Sequence, residues 1–137
     1  MNLVEALLAA DNEKLVNDRT ESYEVKRLSE KLGQPFVLTL KAIPSRRYTE
    51  IQTAAVKFNK DNTQSIDLYK LQTMTLAAGI ASPKLGDTEL LRKFNAVTPV
   101  ELLDKLLLAG EISSIADRIS KLSGFEDNEK KSEEVKN

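Results

Sequence analysis

The sequence predicts a mostly helical α+β fold, a small β-hairpin near residues 23–43 followed by a compact bundle of about five helices. Three observations carry this. Thr98 to Phe125 contains two leucine- and isoleucine-rich stripes at helical spacing, with start and stop signals at the ends. Phe36 to Ile43 is rich in β-forming residues and bounded by prolines. Between hairpin and stripes lie two further apolar faces with steps of three and four residues.

The elements follow in chain order. Asn2 caps a short helix to Ala10, with Leu3 and Leu7 expected to face inward. Asp11 to Ser22 is polar and reads as a loop or frayed turn. From Tyr23 the period changes: Tyr23, Val25 and Arg27 alternate with Glu24, Lys26 and Leu28, a candidate first strand. Ser29 to Gly33 forms a turn of helix that Gln34-Pro35 ends. Phe36 to Ile43 is the second strand, with the first as its expected partner, and a helix must cover the pair. After Pro44, with Ser45 as cap, Tyr48, Ile51, Ala55 and Phe58 mark a helix running to about Asn59. Lys60 to Ser65 is a polar loop. Ser65 or Asp67 caps a helix bearing Leu68, Leu71, Thr75 and Ala78, widened by Met74 and Leu76, with Gly79 near its end. Ser82-Pro83 is a loop, and Asp87 starts a short helix holding Leu90, Leu91 and Phe94.

The last pair has the fullest set of local signals. Thr98 and Glu101 stand at capping-box spacing, Pro99 occupies the first helical position, and Val97 with Leu102 is placed to form a hydrophobic staple. Gly110 is the expected joint between the helices. Glu111 serves the second N-terminus, Gly124 is a left-handed stop, and Phe125 folds back on the last turn. Residues 1–125 are expected to form one globular unit. Glu126 to Asn137 has Val135 as its one apolar residue among charges and amides, so 126–137 is expected to be a disordered tail.

Composition narrows the function. The 137 residues carry 20 Lys and Arg against 21 Asp and Glu, a net charge of −1. That balance lacks the basic excess of a phosphate-neutralising protein, so nucleic acid is not an expected partner. The absence of cysteine excludes disulfides, thiolate metal sites and cysteine nucleophiles. Without histidine the commonest general base and metal ligand are also missing. No apolar run has the length of a membrane span.

Candidate chemistry is sparse. Asp61, Thr63, Ser65 and Asp67 alternate like the first half of a calcium loop, but Ile66 and Gln72 occupy positions that need glycine and glutamate. Asp104, Glu111 and Asp117 give no sign of a converging carboxylate pair, so neither catalysis nor a cofactor is expected. Arg46 and Arg47, beside Tyr48, are candidate contacts to an acidic partner or phosphate, or a solvated helix start. Leu106, Leu107 and Leu108 cannot all be buried on one narrow helical face. Either their helix is packed on two sides, or the row is an exposed groove or self-association surface.

Two stretches together, KRLSEKLGQPFVLTLKAI (Lys26 to Ile43) and GIASPKLGDTELLRKFNAVTPVELLDKLLLAGEISSIADRISKLSGF (Gly79 to Phe125), resemble the XkdN-like tail assembly chaperones of long-tailed bacteriophages and prophages, with a Bacillus prophage as a suggested source. The resemblance spans roughly Tyr23 to Phe125. It rests on Pro83 before an acid-capped "ELL", then "TPVELL", then "LLLAGEI" leading to "LSGF". It implies a non-catalytic factor, cytoplasmic in the host cell, that binds the tape measure protein, keeps it soluble, helps tail tube protein assemble around it, and is absent from the mature particle. It supplies no catalytic residues. The alternative class is a small α-rich adaptor or transcriptional regulator, against which the missing basic recognition helix counts.

Overall fold

The computed structural model describes residues 2–16 and 19–125. Helices α1 (Leu3–Ala9) and α2 (Asn12–Val16) precede strand β1 (Thr20–Glu24), helix α3 (Lys26–Leu32) and strand β2 (Val37–Lys41). Then come α4 (Ser45–Ala54), β3 (Val56–Phe58), β4 (Gln64–Ile66), α5 (Leu68–Gly79) and β5 (Ile80–Ser82). Helices α6 (Thr88–Lys93), α7 (Pro99–Leu106) and α8 (Ala109–Leu122) complete the described chain. The architecture is α+β and mostly α, with five helices after β2 among the described residues.

The main sheet has the order β1-β2-β5, antiparallel throughout. Thr20 pairs with Lys41 and Glu24 with Val37. The first strand therefore begins and ends earlier than alternation from Tyr23 to Leu28 suggests. Val25 instead leads into α3, its N–H bonded to the Phe36 carbonyl at 3.0 Å. That helix ends at Gly33, whose φ of +70° suits a residue without Cβ. The connection between β1 and β2 is thus a helix, longer than the single turn read at Ser29 to Gly33. Nor are the two strands alone, because β5 adds itself to β2 directly after α5.

A second sheet, the hairpin β3–β4, occupies residues read as a helix end and a polar loop. Helix α4 stops at Ala54, and Phe58 stands exposed on β3 instead of continuing the Tyr48–Ile51–Ala55 face. Asp61 accepts hydrogen bonds from the Thr63 N–H and hydroxyl inside the hairpin turn, so its carboxylate organises the turn. Ser45 is not the cap of α4. Pro44 holds that place without a side-chain bond.

The core lies between the main sheet and the helices. Leu38 and Leu40 of β2 meet Ile51 of α4, Leu76 of α5, Leu102 and Leu103 of α7, and Ile112, Ile115 and Ile119 of α8. Helix α8 packs on α5 and lies against β1 and β2. The sheet thereby gains the helical cover that so small a sheet needs. Gly79 permits the α5–α8 approach: a Cβ there would sit 2.5 Å from Ile119 Cγ2. Thr73 and Thr75 are buried on α5, with their hydroxyls donating to the Tyr69 and Leu71 carbonyls one turn back.

Four of the capping signals act as read. Asn2, Asp67, Asp87 and Thr98 each accept from the backbone N–H three residues on. Glu101 differs in detail, since its carboxylate takes the Val97 N–H and not that of Thr98. Val97 is exposed, so no staple closes over Leu102. At the end of α8, Gly124 has φ +101°, and the Gly124 and Phe125 N–H groups bond to Lys121 and Ser120 carbonyls in a Schellman pattern. The Phe125 ring lies against Tyr48 of α4, with ring centroids 4.8 Å apart. The proposed tail, 126–137, lies outside the described residues.

Candidate partner-binding surface

The leucine row does not sit on one helix. Helix α7 ends at Leu106, Leu107 is its C-cap, and Leu108 is the N-cap of α8. The joint therefore falls at Leu107 and Leu108, and Gly110 lies inside the first turn of α8 rather than between helices. A helix continued through the row would point the three side chains 100° apart and leave one outside the core. Breaking at Leu107 instead lets that residue turn inward. Leu107 is 7% exposed and has no surface to offer, Leu106 is half-buried, and Leu108 is 57% exposed.

A polar clamp holds this joint. Glu111 accepts from the Leu108 N–H at 2.8 Å, satisfying the N-terminus of α8. Arg27 of α3 reaches the same carboxylate through Nε and Nη2, and its Nη2 also donates to the Leu106 carbonyl at 2.8 Å. One guanidinium thus ties the end of α7 and the start of α8 to the sheet side. Nothing local marked Arg27 for this role. The only available signal was a lone arginine in an otherwise amphipathic segment.

The Arg27 hydrogen bond is the largest of the influences that hold the Glu111 carboxyl below its ordinary range, and the Leu108 N–H acts in the same direction. A depressed folded-state pKa contributes stability that is present above the unfolded pKa and is lost as pH falls through the folded one. Glu111→Gln should therefore unfold more easily than the parent at neutral pH. The gap should narrow as the pH falls through and below the carboxylate range. Urea melts at neutral pH and at about pH 3 measure it. A gap independent of pH would mean that the charge does not hold the joint.

Arg46 and Arg47 lie elsewhere. They occupy the first turn of α4, where Arg47 meets Glu50 at 3.4 Å in an exposed pair. Such a pair adds little to stability. Arg46 lines an open hollow of about 680 Å³ with Ser45, Thr49, Glu50, Thr53 and Ala54. The neighbouring Tyr48 hydroxyl lies 2.6 Å from Ser120 Oγ, near the C-terminal end of α8. Leu108 is at the other end of that helix. Twelve residues at 1.5 Å each separate the two places by about 18 Å. The structure therefore does not bring the arginine pair and the leucine row into one site.

Other exposed apolar residues were not recognised from the sequence. Phe58, Ile66, Leu68 and Tyr69 project around the β3–β4 hairpin and the start of α5. On α1, Leu3, Val4, Leu7 and Leu8 are all exposed and no residue is buried, contrary to the expected inward face of Leu3 and Leu7. Among the described residues, no group of three or more carboxylates is placed to hold a metal ion. No helix among them is long and apolar enough to cross a membrane.

Comparison with known proteins agrees with this architecture. The crystal structure of the protein yqbn matches it with a TM-score of 0.59 and 20% sequence identity, over 86% of this chain and 99% of that one. This likeness is one of fold. None of the curated proteins matches the chain. A family model described as phage XkdN-like tail assembly chaperone protein matches residues 4–136. With nearly its whole length matched, the chain belongs to the XkdN-like phage tail assembly chaperone family.

Proposed function

We propose that this chain is a non-catalytic chaperone that binds the tape measure protein in the host cytoplasm, keeps it soluble while tail tube protein assembles around it, and does not stay in the mature particle. The family match over residues 4–136 carries this reading. The surface chemistry is compatible with it. The best-formed polar cluster, Arg27 with Glu111, spends its hydrogen bonds on the α7–α8 joint. Apolar side chains remain exposed on α1, around β3–β4 and at Leu108. Exposed apolar surface is what a protein needs in order to hold the apolar segments of a client. Leu106 and Leu108 are candidate contacts on the joint, with Arg46 and Arg47 on α4 as separate polar contacts.

Co-expression tests the proposal. The tape measure protein of the same phage should be soluble with this chain and aggregate without it. Mass spectrometry of purified particles should find the tape measure and tube proteins but not this chain. Equal solubility of the tape measure protein in its absence would end the proposal.

A further inference from the structure

A cleft of about 640 Å³ opens where the start of β1, the end of β2 and the first turn of α4 meet the C-terminal end of α8. Arg19 and Lys41 stand in its wall with Ile43, Ser45 and Ser123, and no carboxylate among the described residues lines it. Lys41 pairs with Thr20, the residue after Arg19, so the two cations are neighbours on adjoining strands. Both are exposed, and neither side chain has a hydrogen-bond or ion-pair partner among the described residues. Arg27, Arg47 and Arg118, by contrast, each meet a glutamate. The walls of the cleft are joined by the fold itself. The Ser123 hydroxyl accepts from the Ile43 N–H at 3.0 Å, and the Ala42 N–H donates to the Arg19 carbonyl at 2.9 Å.

The chain leaves α8 at the rim of this cleft. A Cβ added at Gly124 would meet Arg19 Nη1 at 4.0 Å. On the other side the Phe125 ring lies against Tyr48, which is about 4.5 Å along α4 from Ser45. The next four residues are Glu126, Asp127, Asn128 and Glu129, three acids and no base. Extended, they reach roughly 14 Å beyond Phe125, enough to bring carboxylates to both cations. Lys130 and Lys131 follow and end the acidic stretch. An exposed ion pair by itself contributes little. Here the acids are tethered beside the cations, and a short tether raises their effective concentration to about the millimolar range. A free peptide of the same charge has no such advantage.

We propose that Glu126, Asp127 and Glu129 dock on Arg19 and Lys41, so that the cleft holds the start of this chain's own C-terminal segment. The site takes an acidic, extended segment. An acidic peptide of another protein must displace the internal one to enter. This is independent of the chaperone reading.

Zero-length carbodiimide coupling of the full chain tests the proposal, because it joins an amine to a carboxylate only where the two touch. In monomeric protein at low salt, mass spectrometry should find Lys41 joined to Glu126, Asp127 or Glu129. Arg19→Gln should lower the yield of that link about fivefold, and so should ~0.5 M salt, which screens exposed charges. The Arg19 variant should melt within about two degrees of the parent, since the side chain is exposed. A second readout does not depend on Lys41. The amide signals of Ala42, Ile43 and Ser45 should shift in Glu126→Gln/Asp127→Asn/Glu129→Gln. No Lys41 link, or a link of equal yield in the Arg19 variant and in high salt, would overturn the proposal. A link found only in covalent dimers would place a second copy's segment in the cleft and overturn it as well. Amide signals unchanged by the triple variant, yet moved by an excess of the free peptide Glu-Asp-Asn-Glu, would show a site open to outside segments, and the internal occupant fails.

Discussion

Ile119→Ala should lower the free energy of unfolding by roughly 2–5 kcal/mol, as buried aliphatic truncations do. Ile119 is fully buried at the C-terminal end of the α8 stripe, against Gly79 of α5. Its branches lie directly over Gly79, so the opposite helix has no side chain there to relax into the space. That places the expected loss toward the upper part of the range. Urea melts should show a lower midpoint with an unchanged slope, the mark of a stability change without a change in the unfolded chain. A loss below about 0.5 kcal/mol would mean that this face is not part of the packed core.

Gly79→Ala should also destabilise, although alanine is the better helix former. Two effects oppose each other. Replacing glycine inside a helix gains up to about 1 kcal/mol, and less at Gly79, which is the final residue of α5. Against this, the new Cβ would lie 2.5 Å from Ile119 Cγ2 and 2.6 Å from Cδ1. Cγ2 is attached to the branched carbon and cannot swing away alone, so α5 and α8 must separate. Overpacking of this kind costs roughly 1–3 kcal/mol, and the steric effect wins. The pairing gives a sharper check. In an Ile119→Ala background the same glycine substitution should cost little or become stabilising, a coupling of about 0.5–3 kcal/mol. Additive losses would show that the two residues do not share the contact.

The features legible in the sequence are those decided within one or two turns of chain. Asn2, Asp67, Asp87 and Thr98 cap their helices because the acceptor and the N–H it satisfies are three residues apart. Glu111 supplies the N-terminus of α8 for the same reason. Gly124 ends that helix because the left-handed conformation there is one glycine adopts without penalty. Ile112, Ile115, Ala116 and Ile119 form the buried stripe that their spacing requires. The family resemblance was also legible, because it rests on the order of such local phrases, and the match over residues 4–136 bears it out.

The strands were less legible because their partners are distant. Thr20–Glu24 is a polar run whose strand character comes from pairing with β2, thirteen to twenty-one residues on. Ile80–Ser82 is three residues with no pattern of its own. It becomes a strand because α5 delivers it beside Leu40 and Thr39. The hairpin β3–β4 displaced a helical reading of Phe58 by the same rule, that ladder hydrogen bonds can override a short stretch of period.

The leucine row and helix α1 divide along the same line. The sequence by itself determined that Leu106, Leu107 and Leu108 cannot share one helical face. Only the tertiary structure decided how that conflict is relieved, by ending α7, burying Leu107 and placing Arg27 on the freed Leu106 carbonyl from 79 residues away. Likewise the sequence determined that residues 3–9 form a capped helix with a leucine face. Periodicity identifies a face that must be covered, and whether the chain's own core covers it depends on where the other elements pack. Here the core of the described residues closes without α1, so its leucines stay exposed.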